Sequence, residues 1–312
     1  MDEVIDFSNC KRVHVTYGGT DRKFGVIYND DVYMLKFAKK HANRTNTSTS
    51  YINNALSEYI GSHIAQSMGL TTHETKLGVF NNEIVVGCKD FRFQNSIAII
   101  EFSEYVRAKY NSFEVKQSIK LNQIYDTLKD PKSEIPDTLQ KELIARYWDT
   151  FVVDALVGNV NRSTDDWGLL IENGKLKLAP VYDFGSCLFP EISDDVAESL
   201  LNNRTEMLNN CLFVPSSQLS IINKKVGYYD MMSSNYDSNC TNAVLRVVPK
   251  TDIAKINHII DNTPFITDVR KSFYKHVIRL RNDLILSQSY TRCCGNNFDI
   301  ESKEHLTTRH ID

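Results

Sequence analysis

The sequence predicts an α+β protein of two lobes, a small β-rich lobe followed by a larger, mainly helical one. Within the first ninety residues, short stretches alternate apolar and polar side chains as strands do, and one helical pattern interrupts them. Beyond about residue 95, apolar side chains recur at helical spacing instead. The length of 312 residues agrees with two such units, on a prior of roughly one per 150 residues.

The first lobe, residues 1–91, is predicted to contain a strand, two hairpins and one helix. Its strand and turn signals are an alternating stretch at Arg12–Tyr17, a glycine-rich loop at 18–25 (GGTDRKFG), a hairpin at 25–37 turned by Asn29, Asp30 and Asp31, a polar surface loop at 43–54 and a hairpin at 78–91. The helix extends from Ala55 to Met68, and Gly69 ends it. Its apolar face consists of Ile52, Leu56, Tyr59, Ile60, Ile64 and Met68.

The second lobe, residues 92–288, follows a link near 88–94 and is predicted to be mainly helical. Its clearest helix covers Leu139–Val157 and buries Leu143, Tyr147, Phe151 and Leu156 on one side. The other predicted elements are a polar loop at 158–168 (GNVNRSTDDWG), a hairpin at 167–180 turned by Asn173 and Gly174, and helices at 190–203, 251–261 and 267–288. Residues 289–312 are expected to form a loose polar tail.

Composition narrows the class of protein. A net charge of -3 argues against bulk electrostatic binding to nucleic acid. The start, MDEVIDF, lacks the basic and apolar regions of a signal peptide, and no apolar run approaches the roughly 20 residues that span a bilayer. The seven cysteines are scattered without metal-ligand spacing. We therefore expect reduced thiols in a cytoplasmic protein that does not bind membranes, although export without a signal peptide would leave no mark.

The glycine-rich loop is a weak signal by itself. Backbone N–H groups around Gly18 and Gly19 could approach phosphate oxygens closely, because no Cβ intervenes. A plain β-turn is the commoner explanation of two adjacent glycines, and the loop matches neither GxxxxGK[ST] nor GxGxxG.

Two charged residues strengthen the signal. Lys36 stands mid-strand among apolar residues, where it either extends to solvent or reaches a buried anion. Glu58 lies on the following helix, where an ordinary solvent-exposed glutamate is the simpler interpretation. A strand lysine and a helix glutamate after a glycine-rich hairpin are, taken together, the pair that orients nucleotide phosphates in kinases.

The polar loop at 158–168 and the later VYDFGS carry the remaining candidates. In a kinase site the loop supplies a base or positioning residue and, five residues later, a metal ligand, and these places hold Asn161 and Asp166. Asp183 of the Asp-Phe-Gly turn would grip Mg²⁺ through oxygen ligands. Any one loop acid is more often solvated or capping a helix. No Ser-His-Asp or Cys-His set and no GxSxG elbow is visible, and His63 is expected to be structural.

These motifs together resemble the HipA-like kinases, in particular their short stand-alone bacterial members. The stretches that carry the resemblance are collinear over roughly residues 12 to 190: YGGTDRKFG, YMLKF, SEYIGSHIAQSMGL, CKDF, VVDALVGNVNRSTDDWG and LAPVYDFGS. The resemblance implies a two-lobed protein-kinase-like fold that phosphorylates Ser or Thr of protein substrates with ATP and Mg²⁺.

The resemblance also implies residue roles. Lys36 would hold the α- and β-phosphates and Glu58 would pair with it, while the loop with Gly18, Gly19 and Thr20 would cover the nucleotide. The implied hinge against adenine is Lys89, Asp90 and Phe91. Family members can phosphorylate their own phosphate loop, which makes Thr16 or Thr20 the candidate acceptor. Longer HipA toxins carry an extra N-terminal domain for which we see no room, which leaves a HipB-type antitoxin partner in doubt.

The chain departs from the family at the catalytic loop. The family pattern resembles D-R-x-x-x-N, with the aspartate as base and the asparagine as metal ligand. Here the stretch is NRSTDD, so around Arg162 the acid and the amide are exchanged between Asn161 and Asp166. An amide at 161 cannot take the hydroxyl proton, and the loss of a general base costs roughly 10²–10⁴-fold in typical enzymes.

Three alternatives remain open at this point. The chain could be a working kinase with an exchanged pair, a pseudokinase that acts as a nucleotide-binding module through protein contacts, or a sequence altered to remove activity. Type II phosphoinositide 4-kinases carry a related loop, so a lipid substrate is a further possibility. Against a lipid substrate, no basic amphipathic segment or cysteine-rich palmitoylation stretch marks a membrane surface.

Overall fold

The computed structural model describes residues 3–18, 22–38, 53–92, 97–111 and 118–295. Its strands are β1 Ile5–Asp6, β2 Lys11–Val13, β3 Lys23–Tyr28, β4 Asp31–Phe37, β5 Thr75–Phe80, β6 Glu83–Lys89, β7 Ala98–Glu101, β8 Ile119–Lys120, β9 Gly168–Glu172, β10 Lys175–Leu178, β11 Leu219–Ile221 and β12 Lys224–Lys225. Its α-helices are α1 Asn54–Ser67, α2 Phe102–Tyr110, α3 Leu121–Leu128, α4 Asp137–Val157, α5 Asp194–Asn202, α6 Arg204–Phe213, α7 Tyr228–Ser233, α8 Ser238–Val247, α9 Ile253–Asn262, α10 Asp268–Arg281 and α11 Ser287–Gly295.

The first six strands form one sheet, which we call the sheet lobe, in the order β1-β5-β6-β4-β3-β2. Only the β1–β5 pair is parallel. Both predicted hairpins are present. Their turns, Asn29-Asp30 and Asn81-Asn82, place all four residues at positive φ, the geometry that matches the right-handed twist of the flanking strands. A small apolar core around Phe7, Leu35 and Phe80 holds one face of the sheet.

The first predicted strand is too long. β2 ends at Val13, and residues 14–18 leave the sheet without regular structure. The departure has a tertiary cause: the Tyr17 hydroxyl donates to Asp90 Oδ2 at 2.9 Å, and the ring lies under the Arg92 guanidinium. The alternation in RVHVTY therefore predicts a longer strand than is observed, because long-range contacts of Tyr17 take the chain away from the sheet. Within the predicted loop at 18–25, Lys23–Gly25 already belongs to β3. The polar run at 43–54 lies outside the described residues up to position 52.

Helix α1 connects the sheet to the rest of the molecule. Its predicted apolar residues Leu56, Tyr59, Ile60, Ile64 and Met68 are all buried. The hydrophobic cluster that contains them runs without a break into the helices that follow β7, which we call the helical lobe. The predicted Ile52 lies outside the described residues, and Met68 caps the helix.

The catalytic-loop region is framed by α4 and a small sheet. Helix α4 ends at Gly158, whose φ of 64° lets its N–H close the helix on the carbonyl of Asp154. The loop that follows leads into β9 and β10, the predicted hairpin with the Asn173-Gly174 turn, and β7 pairs with β9 on the other side. A second small sheet joins β8, β11 and β12. The α+β fold class is therefore observed.

The C-terminal helices differ from the prediction in detail. The helix predicted at 190–203 begins at Asp194, where the Ser193 side chain caps it. The helix predicted at 267–288 is α10 followed by a π-turn at Asn282–Leu286, and α11 then continues to Gly295. Residues 289–295 are thus helical rather than loose, because Tyr290 and Cys293 pack against the main core. No described helix has the length and apolarity needed to cross a membrane. The lobe boundaries at 91 and 288 stay a prediction.

Candidate active site

A cleft of about 520 Å³ opens between the sheet lobe and the loops that follow α4. This volume suits a small-molecule ligand. Most of the predicted site residues line it: Gly18, Lys36, Lys89, Asp90, Phe91, Asn161, Asp166 and Asp183. Thr16 is exposed and lies outside this lining, and Gly19 and Thr20 lie outside the described residues.

Lys36 is the centre of the polar contacts in the cleft. Its strand β4 lies between β3 and β6, which fixes the backbone and directs the ammonium group to the cleft. The Nζ atom lies 2.8 Å from Glu58 Oε2 and 3.0 Å from Asp183 Oδ1. The lysine therefore joins helix α1 to the Asp-Phe-Gly turn.

The pKa values of these groups follow from the contacts. Burial lowers the pKa of Lys36, but the carboxylates of Asp183 and Glu58 outweigh it, so that the pKa lies well above its usual value. Burial raises the pKa of Glu58, and the charge of Lys36 together with the contact from His73 more than reverses this. The Lys36 ammonium also lowers the pKa of Asp183. All three groups are charged at neutral pH.

Glu58 has a second neighbour that the sequence did not reveal. His73 Nε2 lies 3.1 Å from Glu58 Oε1, and both side chains are buried. The His73 backbone N–H donates to the Val181 carbonyl at 3.1 Å, two residues before Asp183, and the Ser62 hydroxyl of α1 donates to the His73 carbonyl at 3.2 Å. His73 thus fastens α1 to the strand that leads into the Asp-Phe-Gly turn. His63, by contrast, binds the carbonyl of Tyr59 and is structural, as predicted.

Arg162 holds the catalytic loop in place rather than facing the cleft. Its guanidinium forms a two-pronged ion pair with Asp154 of α4, at 2.9 and 3.1 Å. It also donates to the Tyr182 carbonyl and lies over the ring of Phe184. Burial lowers the pKa of Arg162, but the Asp154 carboxylate outweighs this effect and raises the pKa above its usual value. The guanidinium is therefore permanently charged. The loop and the Asp-Phe-Gly turn are therefore tied together through one cation.

Asn161 projects at the surface of the cleft. Its backbone N–H donates to Asn159 Oδ1 at 3.0 Å, and Asn159 in turn donates to Asp154 Oδ1 at 3.0 Å. The Asn161 residue is exposed and lines the cleft, where a phosphate-accepting hydroxyl could reach it. Its side chain is an amide, which can accept a hydrogen bond but cannot take a proton as a carboxylate can.

Asp166 and Asp183 face each other as a pair of carboxyl groups. Asp166 Oδ2 accepts from the Ser163 N–H at 2.6 Å and from the Ser163 hydroxyl at 2.9 Å. Burial and the charge of Asp183 raise the pKa of Asp166 well above its usual value. Two neighbouring carboxyl groups supply the oxygen ligands that a hard divalent cation prefers.

The residues of the predicted hinge, Lys89, Asp90 and Phe91, lie at the cleft, and two of their side chains make contacts of their own. The Asp90 N–H donates to the Val32 carbonyl at 2.8 Å, and Lys89 Nζ forms an ion pair with Asp31 at 2.5 Å. The Asp90 carboxylate accepts from Arg92 and from Tyr17. These contacts hold Asp90 and Arg92 against Tyr17 at the end of the sheet lobe.

Helix α4 is positioned from behind by Arg281 of α10. The guanidinium is buried and donates to the carbonyl of Ala155 at 2.6 Å and to the carbonyl of Cys211. Burial lowers the pKa of Arg281 to about 10, so that it remains charged at neutral pH. Gly158 at the end of α4 approaches the same side chain.

Some residues of the site carry no sequence signal. Asp154 interrupts the apolar run VVDALV, and a buried acid in such a run could have been suspected of pairing with a cation. His73 stands in a polar stretch, TTHETK, with nothing to distinguish it. Tyr17 also appears only as a strand residue. Their roles depend on neighbours that are far away along the chain.

Comparison with known proteins agrees with this geometry. The HipA-like C-terminal domain family matches residues 15–249. The chain belongs to the HipA-like family. A HipA-like relative, the serine/threonine-protein kinase CtkA of Helicobacter pylori strain J99, is 36% identical over 295 residues, which cover 92% of this chain and 88% of the relative.

Solved structures of HipA-like proteins extend the comparison. The crystal structure of a Helicobacter pylori proinflammatory kinase CtkA superposes with a TM-score of 0.87 at 33% identity, covering 95% of this chain and all of the other. A chain of the Shewanella oneidensis HipA, HipB and operator DNA complex gives a TM-score of 0.44 at 12% identity, covering 91% of this chain and 65% of that chain.

The CtkA likeness confirms two predictions. The chain has the two-lobed, kinase-like α+β fold, and it is a HipA-like phosphotransferase.

Proposed function

We propose that this HipA-like kinase transfers phosphate from ATP to Ser or Thr of proteins, with Mg²⁺, in the cytoplasm. The observation that carries the proposal is the position of Lys36, whose Nζ contacts Glu58 and Asp183 at once on the wall of the cleft. This network links the lysine of the sheet lobe, the glutamate of α1 and the acid of the Asp-Phe-Gly turn, which kinases need in place together.

In this proposal the nucleotide lies along the cleft. Lys36 donates to the α- and β-phosphates, and Glu58 holds the ammonium in position. The loop with Gly18, Gly19 and Thr20 covers the phosphates. Adenine lies against Lys89, Asp90 and Phe91, which the family resemblance implies and which line the cleft.

Asp166 and Asp183 would hold the Mg²⁺. Their carboxyl oxygens are the ligand type that Mg²⁺ takes, and burial together with the charge of Asp183 raises the pKa of Asp166, which supports a shared cation at this pair. When bound, the ion would supply neutralising charge to the phosphate oxygens. An acid at position 166 serves this purpose at least as well as an amide, because it adds a formal negative charge to the ligand set.

The hydroxyl of the substrate would approach Asn161. The amide can accept a hydrogen bond from the hydroxyl and so orient it, but it does not take the proton. Phosphoryl transfer has a loose transition state in which charge neutralisation and positioning matter more than a base. We therefore propose slow turnover rather than none, reduced by roughly 10²–10⁴-fold relative to an aspartate at this position.

The proposed acceptors are protein hydroxyls, including the chain's own loop. Thr16 is exposed at the edge of the sheet lobe, and Thr20 lies on the same loop outside the described residues. The proposal includes no nucleic-acid, membrane or antitoxin partner.

The test is intact-mass spectrometry after incubation with ATP and Mg²⁺. The chain is compared with an Asn161→Asp, Asp166→Asn double variant, which restores the family pattern. We expect one added phosphate in both, appearing much faster in the double variant. Peptide mapping of the product, with Thr16→Ala as a control, identifies the acceptor.

An Asp183→Asn substitution in each background is the matched negative control. A mass gain that survives this substitution would come from a contaminating kinase. If only the double variant gains phosphate, the fold is an active kinase silenced at positions 161 and 166.

A second candidate function rests on the amide of Asn161. If neither protein gains mass but both bind ATP, the pseudokinase proposal prevails, in which the nucleotide controls a protein contact. If neither binds ATP by calorimetry, both proposals fail.

A further inference from the structure

Three side chains of different chemistry converge behind the cleft. One ligand atom each of Glu58, His73 and Cys88 lies within 4.8 Å of the other two, and all three residues are buried. Glu58 comes from α1, Cys88 from β6, and His73 from the segment between α1 and β5. Kinase chemistry as proposed above uses the carboxylate, with the imidazole only as its neighbour, and assigns no role to the thiol.

We propose that Glu58, His73 and Cys88 form a binding site for a borderline-soft divalent cation such as Zn²⁺, and that its occupation competes with the Lys36–Glu58 ion pair. The cation site itself does not depend on the proposed kinase function. The competition does, because its effect is exerted through nucleotide binding.

The donor set is the first argument. One imidazole nitrogen, one thiolate sulfur and one carboxylate oxygen are typical zinc ligands, and a site with three protein ligands leaves a fourth position for water. A thiolate selects against Mg²⁺, which prefers oxygen throughout. The site therefore differs in metal preference from the Asp166–Asp183 pair.

Unsatisfied polar atoms are the second argument. His73 Nε2 and Glu58 Oε1 are 3.1 Å apart, yet neither takes part in a hydrogen bond of normal geometry. Both atoms are buried, and a buried polar atom without a hydrogen bond costs free energy. A cation between them would bind both. Such an atom-pair separation is compatible with two ligands of one ion.

Access and charge balance are the third argument. His73 and Cys88 both line the cleft, which gives an ion a path from solvent. Burial raises the pKa of Cys88, so the thiol keeps its proton until a metal displaces it, and one proton per bound ion passes to solvent. Lys36 does not become an unpaired buried charge, because Asp183 lies 3.0 Å from its Nζ.

The consequence would be inhibition. A cation on Glu58 Oε1 would place positive charge beside the Lys36 ammonium, which lies 2.8 Å from Oε2 of the same carboxylate, and so weaken the ion pair that holds Lys36 toward the phosphates. A charge-assisted hydrogen bond of this kind is strong enough that we expect nucleotide affinity to fall by about tenfold or more.

The probe is Co²⁺, added to the metal-free full chain without nucleotide. We expect thiolate-to-cobalt charge-transfer absorption that saturates at one ion per chain and disappears when Zn²⁺ is added. Cys88→Ser should abolish this absorption, and His73→Gln should weaken Co²⁺ binding at least tenfold. Cys240→Ser is the matched control, since Cys240 is equally buried but lies in the helical lobe, and it should leave the signal unchanged.

Two further variants separate this site from others. An Asp166→Asn, Asp183→Asn variant removes the proposed Mg²⁺ ligands and should keep the thiolate signal. A Cys293→Ser, Cys294→Ser variant tests the adjacent cysteines of α11. Absence of the charge-transfer band at saturating Co²⁺, or a band that persists in Cys88→Ser and is lost with Cys293 and Cys294, would overturn the site.

The inhibition has its own readout. Binding of a fluorescent ADP analogue is measured with and without one equivalent of Zn²⁺, in the unaltered chain and in Cys88→Ser. We expect at least tenfold weaker binding only in the unaltered chain. Equal affinity with the ion bound would overturn the competition, while failure of the analogue to bind at all would count against the kinase proposal and leave the cobalt result standing.

Discussion

Glu58 is a carboxylate with no solvent exposure that nevertheless carries its charge. Water does not stabilise this charge, so its neighbours must. Lys36 contacts one carboxylate oxygen and His73 approaches the other, and together they outweigh the effect of burial on the pKa of Glu58. A buried ion pair of this kind adds little net stability, but removing one partner is costly.

Substitution of Glu58 by Gln tests this balance through pH. The pKa of Glu58 is lowered in the folded state, so its stabilising contribution is complete above the unfolded value of about 4.3 and is lost as the pH falls through the folded value. We expect Glu58→Gln to cost about 1–3 kcal/mol at pH 7. The difference should narrow below about pH 4. Urea denaturation at pH 7, 4 and 3 measures it, and a constant difference would contradict the assignment.

The pKa of Asp166 shifts in the opposite direction to that of Glu58, so its effect on stability changes with pH in the opposite sense. Its pKa is raised in the folded state by burial and by Asp183, so the folded chain holds a proton that the unfolded chain has lost. Stability therefore falls as the pH rises from the usual aspartate value to the raised one. We expect Asp166→Asn to raise stability by about 1–2 kcal/mol at pH 8 without metal. Thermal melting in a chelator, repeated at pH 5, checks this, since the gain should shrink at the lower pH.

At the scale of elements, helix α1 packs closely against the Asp-Phe-Gly turn. A Cβ at Gly61 would lie 2.7 Å from Phe184 Cβ and 2.8 Å from Cys187 Sγ. Glycine is a poor helix former, so its presence inside α1 has to be explained by packing. The helix can approach the turn, and Glu58 can reach Lys36, because residue 61 has no side chain.

Gly61→Ala should therefore reverse the usual effect of alanine. In an ordinary helix interior the change stabilises by about 0.5–1 kcal/mol. Here we expect a loss of about 1–3 kcal/mol from overpacking, together with weaker nucleotide binding. Chemical denaturation is compared with Gln66→Ala, an exposed position on the same helix. Stabilisation by Gly61→Ala would show that the turn can move away freely.

The sequence predicts those elements well whose signals are local. The turns at Asn29, Asn81 and Asn173 are identified because positive φ favours a few residue types, whatever lies elsewhere. The prediction that the strand continues beyond Val13 is wrong, because the Tyr17 hydroxyl donates a hydrogen bond to Asp90, 73 residues away. The same distinction holds in the site. Lys36 and Asp183 stand in recognisable motifs, whereas the roles of His73 and Asp154 arise only from tertiary contacts.

At the scale of the whole molecule, the cleft is built from both lobes, so a bound nucleotide should stabilise the entire chain. We expect ATP with Mg²⁺ at about 100 times its dissociation constant to add about 2.7 kcal/mol to the free energy of unfolding. Lys36→Met should abolish most of the gain. Differential scanning calorimetry measures it, and Lys141→Met, an exposed lysine of α4, is the control. An equal gain in both variants would place the nucleotide elsewhere.

The buried guanidinium of Arg281 limits where this protein can be shortened. The family match ends at residue 249, which could be chosen as the C-terminus of a shortened protein. A chain cut there would lose α10, and the carbonyl of Ala155 would face a void instead of a cation. The last turn of α4 leads into the loop that contains Asn161 and Arg162. We therefore expect this loop to lose its ordered conformation in such a fragment. The boundary of a family is set by shared sequence, and here the smallest folding unit includes at least two further helices, α9 and α10.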